Sequence, residues 1–462
     1  MSGKVCIIGG GGVRTPLLIH GLLQSQHALK ISDLVLFDVD QRRAEIMAAL
    51  GGAISNKLGV DILLTTANSL ESAVDGSSFV LSSVRVGGMS ARARDERTAI
   101  EQGLAGQETT GPGGVAMALR TVPFALAHAR VIERFAPQAW LINFTNPAGL
   151  ITQALNQHTK LRVIGICDTP AELFHRIAQV LGVPPSEAHC EYAGLNHLGW
   201  VRRITVGGKD LTAQLLENPD SLRQLYHANL FDPLLIRTLQ LIPSEYLFFY
   251  YSQRKAYLNQ VRAGASRGEE LVKLNSQLFS QLQAENPREG LNTYRNYLMQ
   301  RNSSYLQLEA EAGSAFGEQR EEIDPFDLAT GYHRIAIEVM TGLLSEQPRQ
   351  VVVNVRNCGS ITDLGPEDVV EVPCQISCAG VKPVPTGPLP EAVRGLVLAV
   401  KAYERTVIRA AVEKSWALAQ LAMLEYPIIG QWEIAGDLRE KLAASDPEFL
   451  GYLEPHIERA RH

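Results

Sequence analysis

Three residues near the middle of the chain carry side chains able to hold a metal or move a proton: Cys167, Asp168 and His197. The first two close the run Leu161-Arg-Val-Ile-Gly-Ile-Cys-Asp-Thr-Pro170, which reads as a buried strand with an abrupt polar end. Strand ends are where α/β proteins keep their chemistry. His197 follows in Gly194-Leu-Asn-His-Leu198, at a second apolar-to-polar junction. A thiolate and an imidazole suit a divalent transition metal. Two protein ligands leave most of the coordination sphere open, and a substrate with adjacent hydroxyls can fill it. The metal would then orient and polarise a substrate rather than staple a fold. A buried cysteine and a core histidine would account for the same residues without any metal, and both readings stand at this point.

Elements that could position these groups recur along the first third of the chain. Lys4-Val-Cys-Ile-Ile8 is a short apolar strand, followed by Gly9-Gly-Gly-Gly-Val-Arg-Thr-Pro16 and a helical pattern from Leu17 to about Leu29. Strand, glycine turn and helix N-terminus together make a cradle for a pyrophosphate. Gly9, Gly10, Gly11, Gly12, Val13 and Arg14 are therefore expected to bind a dinucleotide, with Arg14 standing near the usual last glycine of the fingerprint. The second strand, Asp33-Leu-Val-Leu-Phe-Asp38, ends in an acid at the distance where a ribose diol is held; the lesser alternative is that Asp38 caps the next helix. Further strands are expected at 61–65, 79–84, 139–143 and 162–166, with helices between them, which is the alternation of a parallel doubly wound sheet.

The segment from Arg85-Val-Gly-Gly-Met89 through Arg92, Arg94, Asp95 and Glu96 to Gly106-Gln-Glu-Thr-Thr-Gly-Pro-Gly-Gly114 is too polar and glycine-rich for a core helix. It reads as a loop for anions or polyols, or as solvated surface arginines. Leu141-Ile-Asn-Phe-Thr-Asn-Pro147 ends a strand in two amides, Asn143 and Asn146, that could hold a ribose or a sugar hydroxyl, though Asn-Pro also simply starts turns. After His197 helical segments dominate, with β-segments at 351–355 and 369–372. The expected architecture is α/β: a Rossmann-type doubly wound parallel sheet in residues 1–195 and a mixed α+β second domain in 196–462, with the active site between them.

Composition narrows the function classes. The 462 residues carry 43 Lys+Arg against 49 Asp+Glu, a formal net charge of −6, with no block of like charge. That argues against nucleic acid as a partner. No apolar run approaches a membrane span and no secretory leader is visible, so a cytoplasmic protein is expected. Six scattered cysteines without a C-x-x-C pair read as free thiols; Cys358, Cys374 and Cys378 fit no common zinc module and look like core thiols.

Taken together, Gly9 to Pro16, Arg85-Val-Gly-Gly88, Gly106-Gln-Glu-Thr-Thr-Gly111, Asn143-Phe-Thr-Asn-Pro147, Cys167-Asp168-x-Pro170 and Gly194-Leu-Asn-His197 occur in an order that resembles glycoside hydrolase family 4. The resemblance extends through Val353-Asn-Val-Arg-Asn357 and Val369-Val-Glu-Val-Pro373. It implies an NAD- and divalent-metal-dependent glycosidase, with 6-phospho-β-glucosidases the nearest type, Mn2+ the usual metal and a homodimer or homotetramer the expected assembly. By this resemblance Cys167 and His197 are the metal ligands, Tyr246 in Pro243-Ser-Glu-Tyr246 is the base, and Asp168 is the general acid. Glu108 and Asn146 contact the sugar, Arg92 the phosphate, and Asn143 joins the glycine turn and Asp38 at the cofactor. Phospho-β members carry Cys-Asn after the strand and phospho-α members Cys-Asp-Met-Pro, whereas this chain has Cys-Asp-Thr-Pro. The segment that precedes a Tyr-Tyr pair in many β-type members is here Arg301-Asn-Ser-Ser-Tyr305.

The implied reaction oxidises the sugar at C3, removes the acidified C2 proton, eliminates the aglycone from C1, adds water and reduces C3 again. A tyrosine titrates near pH ~10, and a neighbouring cation favours its anion, which suits Tyr246 as base. Such chemistry needs no carboxylate pair across the glycosidic bond. Alternatives are a 6-phospho-α-glucosidase, a hydrolase of unphosphorylated glycosides, an NAD-dependent sugar or hydroxyacid dehydrogenase, which would release NADH, and a non-catalytic dinucleotide sensor.

Overall fold

The computed structural model describes residues 3–226, 230–304 and 324–454; Tyr305 lies outside them. Six strands form a parallel half-sheet: β1 (Lys4–Ile8), β2 (Asp33–Phe37), β3 (Leu63–Thr66), β4 (Phe79–Ser82), β5 (Trp140–Asn143) and β6 (Arg162–Gly165). Their order, β6-β5-β4-β1-β2-β3, is that of two mononucleotide-binding halves meeting between β1 and β4. Seven further strands continue the same sheet: β7 (Ala188–Leu195), β8 (Leu198–Val206), β9 (Lys209–Asp210), β10 (Ile242–Pro243), β11 (Arg349–Arg356), β12 (Val369–Ser377) and β13 (Gly380–Pro383). They pair antiparallel, and β11 joins the halves by pairing Asn354 with Gly165 of β6. The 195/196 boundary falls in the turn of the β7–β8 hairpin, inside this sheet.

The parallel strands read as near-continuous apolar runs because helices cover both faces. Val5, Cys6, Ile7 and Ile8 of β1 are buried, as are Val80 and Leu81 of β4. The helical pattern after the glycine turn is interrupted at Ser25, giving Thr15–Gln24 and Gln26–Leu29. Cys374 is buried, but Cys358 and Cys378 are exposed rather than core thiols; all six cysteines are free.

Two further expectations need correction, one on the polar segment after β4 and one on the apolar runs. The polar segment after β4 is not a loop throughout: Gly88–Glu101 is a helix with Arg92, Asp95 and Glu96 on its buried side, and residues 102–110 form a loop before the next helix. Charge there is tolerated because it is paired, Arg92 with Glu96 one turn on (2.7 Å) and Asp95 with Arg120. Arg120 belongs to the helix Gly111–Phe135, which is long and apolar enough by length and composition to cross a membrane. In the fold most of its apolar residues pack into the core, Phe124 staying exposed, and Arg120, fully buried, also pairs with Asp446 at 2.6 Å.

Candidate active site

The loops after β1, β2, β4, β5 and β6 open into a cleft of 1840 Å³. Its position at the carboxyl ends of parallel strands is the one expected for ligands of a doubly wound sheet, and its volume exceeds what one small ligand needs.

At one end of the cleft lies the glycine turn. Gly9, with φ 86°, packs so closely on β4 that a Cβ would meet the Ser83 carbonyl oxygen at 2.2 Å, so only glycine fits. The backbone N–H of Gly11 donates to Asp38 Oδ2 at 2.9 Å, and that of Asp40 to Asp38 Oδ1 at 3.0 Å. Asp40, not Asp38, caps the helix Gln41–Leu58. The acid at the end of β2 therefore stands beside the glycine turn with its carboxylate held in place. Gly9, Gly11, Gly12, Val13, Arg14 and Asp38 line the cleft; Gly10 is packed beneath, on Leu36. Asn143 turns inward. It is fully buried, its amide nitrogen donating to the Ala148 carbonyl (3.3 Å) and Thr152 Oγ1 (3.1 Å) and its oxygen accepting from the Thr145 N–H (3.2 Å). These bonds engage both ends of the amide in anchoring the β5 turn, and Asn143 is not among the residues that line the cleft.

At the other end, sheet register brings distant residues together. His197 sits in the β7–β8 turn with φ 61°, and β10 pairs with β8 through Ile242 and Pro243, setting the short turn of helix Glu245–Leu247 against it. The imidazole of His197 and the phenol of Tyr246 consequently stack, 3.7 Å between centroids and 3° between planes. A non-glycine residue in left-handed backbone conformation is a strain that function often retains. Cys167 and His197 are 2% and 3% exposed, and their neighbours Asp168, Thr169 and Tyr246 line the cleft.

These residues fit a metal by their free electrons. His197 Nδ1 lies 3.0 Å from Thr109 Oγ1, while Nε2 is buried with no hydrogen-bond partner among the described residues. Burial lowers the imidazole to about 4, so the ring is neutral near pH 7. The Cys167 Sγ lies 3.3 Å from Thr169 Oγ1, and burial pushes the thiol well up; binding of a cation would displace its proton. Among the described residues no third His, Cys, Asp or Glu completes a ligand cluster.

Asp168 occupies the N-cap position of the helix Thr169–Leu181, yet its side chain makes no capping bond. It lines the cleft instead, and burial raises it against the pull of Arg14. Glu108 is ion-paired with both Arg85 (2.5 Å) and Arg92 (2.9 Å); although burial opposes it, these cations and Arg14 hold the carboxylate ionised. Asn146 lines the cleft, its side-chain oxygen without a hydrogen-bond partner among the described residues.

Sequence reasoning named Arg14 and Arg92 but missed that Arg267 and Arg301 join them, and it missed the ring of Tyr332. Arg14 lies over the Tyr332 ring, 4.5 Å from its centroid. Arg301, at the end of the helix Pro287–Ser303, lines the same cleft. Its guanidinium is pushed down to about 10 by burial and by the neighbouring Arg14, Arg267 and Arg92. Arg267 donates to the Arg301 carbonyl at 2.7 Å. Crowded guanidinium groups are an anion site. The one signal in sequence was the arginine in Arg301-Asn-Ser-Ser, since nothing local marks it as facing Arg14.

A model described as "Family 4 glycosyl hydrolase" matches residues 4–183, and one for the "Family 4 glycosyl hydrolase C-terminal domain" matches residues 192–429. A 6-phospho-beta-glucosidase of Escherichia coli K12 is 30% identical, over 92% of this chain and 91% of that protein. A probable 6-phospho-beta-glucosidase of Bacillus subtilis 168 is 29% identical, over 98% and 99%. The 6-phospho-beta glucosidase of Thermotoga maritima, solved with manganese, NAD+ and glucose-6-phosphate, superposes with a TM-score of 0.81 at 26% identity, covering 98% of this chain and all of that one.

Proposed function

The chain belongs to family 4 of the glycosyl hydrolases, and on that premise we propose that it is a 6-phospho-β-glucosidase using NAD+ and a divalent metal, Mn2+ in the first instance. The observation that carries the reading is the buried, unpartnered Nε2 of His197 in a ring stacked on Tyr246. When bound, NAD+ supplies a reversible hydride acceptor for C3 of the sugar, and the metal supplies a Lewis acid for its C2 and C3 oxygens.

The rest is the work of the chain. Gly9, Gly11, Gly12, Val13 and Asp38 form the dinucleotide cradle, and Cys167 and His197 are the metal's protein ligands. Asn146 accepts a hydrogen bond from a sugar hydroxyl through its unpartnered oxygen, and Glu108, kept anionic by Arg85 and Arg92, accepts another. Arg301, with Arg14 and Arg92 nearby, takes the 6-phosphate. Tyr246 removes the C2 proton, and Asp168, whose raised affinity for a proton suits an acid, protonates the departing oxygen. Residues 1–195 would carry the cofactor and 196–462 the remaining substrate contacts and the subunit interface of a homodimer or homotetramer in the cytoplasm.

The test is hydrolysis of nitrophenyl 6-phospho-α- and 6-phospho-β-glucosides and their unphosphorylated counterparts, after stripping bound cofactor, with and without NAD+ and Mn2+. Preferred cleavage of the phosphorylated β-substrate that needs both additions is expected. Cleavage indifferent to both would sink the mechanism, and steady NADH production from a sugar would make the protein a dehydrogenase.

A further inference from the structure

A chain of hydrogen bonds from Gln107 ends on His197. The side-chain oxygen of Gln107 accepts from the backbone N–H groups of Thr109 (2.6 Å) and Thr110 (2.7 Å). Those two donors settle which end of the amide faces the loop, because the NH2 end would set donor against donor. The Thr109 hydroxyl lies 2.9 Å from the same oxygen, which the Thr110 hydroxyl also approaches at 3.1 Å, and 3.0 Å from His197 Nδ1.

A hydroxyl has one proton to give, and an amide oxygen can only accept. With the Thr109 proton directed to Gln107, the hydroxyl oxygen accepts from His197, and Nδ1 carries the ring proton. Nε2 then keeps its lone pair. In the opposite tautomer Nε2 would be a buried N–H without an acceptor, since the described residues offer it no partner.

The loop is built to hold Thr109 still. A Cβ on Gly114 would come 2.3 Å from the Thr109 carbonyl oxygen, and the Gly111 N–H donates to the Tyr426 hydroxyl at 3.1 Å. We infer that Thr109, oriented by Gln107, is a positioning residue for the metal: it selects the Nδ1–H tautomer of His197 and thereby presents Nε2 as a ligand. The inference rests on the reading of His197 as a ligand, and groups that fix a ligating imidazole in this way are worth about 10–100-fold in metal affinity.

The experiment uses metal-free full-length protein labelled with 15N in its histidine rings, the His197 signals being identified by their loss in His197→Gln. Wild type and Thr109→Ser should show the Nδ1–H tautomer, and Thr109→Val should shift towards Nε2–H. Titration with Mn2+, read as free-ion paramagnetic resonance, should show affinity about 10–100-fold weaker in Thr109→Val and restored in Thr109→Ser. An Nε2–H tautomer in wild type overturns the inference without recourse to any variant. So does Thr109→Val that binds Mn2+ as wild type does. Wild type that keeps the Nδ1–H tautomer but binds no Mn2+ would instead defeat the metal reading of the site, and the inference with it.

Discussion

The imidazole of His197 lies flat on the phenol of Tyr246, 3.7 Å away and within 3° of parallel. Two residues 49 positions apart in sequence are thus locked ring to ring by the pairing of β8 with β10. The stack holds the tyrosine without using its hydroxyl.

That geometry allows the base to be removed cleanly. Tyr246→Phe keeps the ring and its stacking, so Mn2+ affinity should stay at the wild-type level while kcat falls about 10²–10⁴-fold, the usual worth of a general base. Proton exchange at the sugar C2 in D2O should stop as well. Exchange at the wild-type rate would show that another group takes the proton.

Arg301 is crowded by Arg14, Arg267 and Arg92, it makes no ion pair among the described residues, and a phosphorylated sugar would bring it an anion. Arg301→Met should therefore raise KM for the 6-phospho-glucoside about 10–100-fold, from the loss of a charge-assisted hydrogen bond, and leave kcat/KM for the unphosphorylated glycoside as it was. Relief of like-charge crowding should also make the free variant more stable to urea. A variant that loses stability and handles both sugars equally badly would mark Arg301 as structural.

Asp168 should matter in proportion to how badly the leaving group needs a proton. For Asp168→Asn, hydrolysis of alkyl 6-phospho-glucosides is expected to slow about 10²–10³-fold and that of nitrophenyl ones far less, because nitrophenolate leaves unaided. Equal losses on both series would assign Asp168 to binding instead.

His333 gives the acid side of stability a sign. Burial first, and then Arg334, lower it to about 4 from an ordinary value of 6.5. Above pH 6.5 both folded and unfolded chains carry it neutral, and it makes no difference. As pH falls below 6.5 the unfolded chain takes a proton that the folded one refuses, so stability is lost down to pH 4. Between pH 7 and pH 5 this amounts to about 2 kcal/mol, and His333→Leu should lose less by that amount in urea unfolding. Identical pH slopes for the two proteins would contradict the assignment.

Much of this architecture is legible in the amino-acid order because it is local. The apolar run Lys4-Val-Cys-Ile-Ile8, the glycines after it and the acid at Asp38 declare a strand, a tight turn and a second strand through backbone geometry and side-chain period alone. Cys167 and His197 declare themselves by residue type at strand ends. The arrangement of strands 4–165 follows from the same alternation, since short right-handed crossovers leave few other ways to wind a parallel sheet.

What tertiary structure decided lies in contacts between residues far apart. The charges on Gly88–Glu101 look solvated in sequence, and beyond the local Arg92–Glu96 pair it is the arrival of Arg120, Glu108 and Gly268, whose N–H reaches Glu96 at 2.6 Å, that makes their burial tolerable. Asn143 and Asn146 are equivalent amides at one strand end, yet packing turned the first inward onto the β5 turn and left the oxygen of the second without a partner among the described residues. Arg301 reached the cleft because its helix crosses to the glycine turn, where Tyr294 donates to the Val13 carbonyl at 2.7 Å. Pattern along the chain fixes backbone conformation and which face is apolar. Whether a polar group ends buried, paired or free is set by partners whose approach costs chain entropy and rests on the whole packed core.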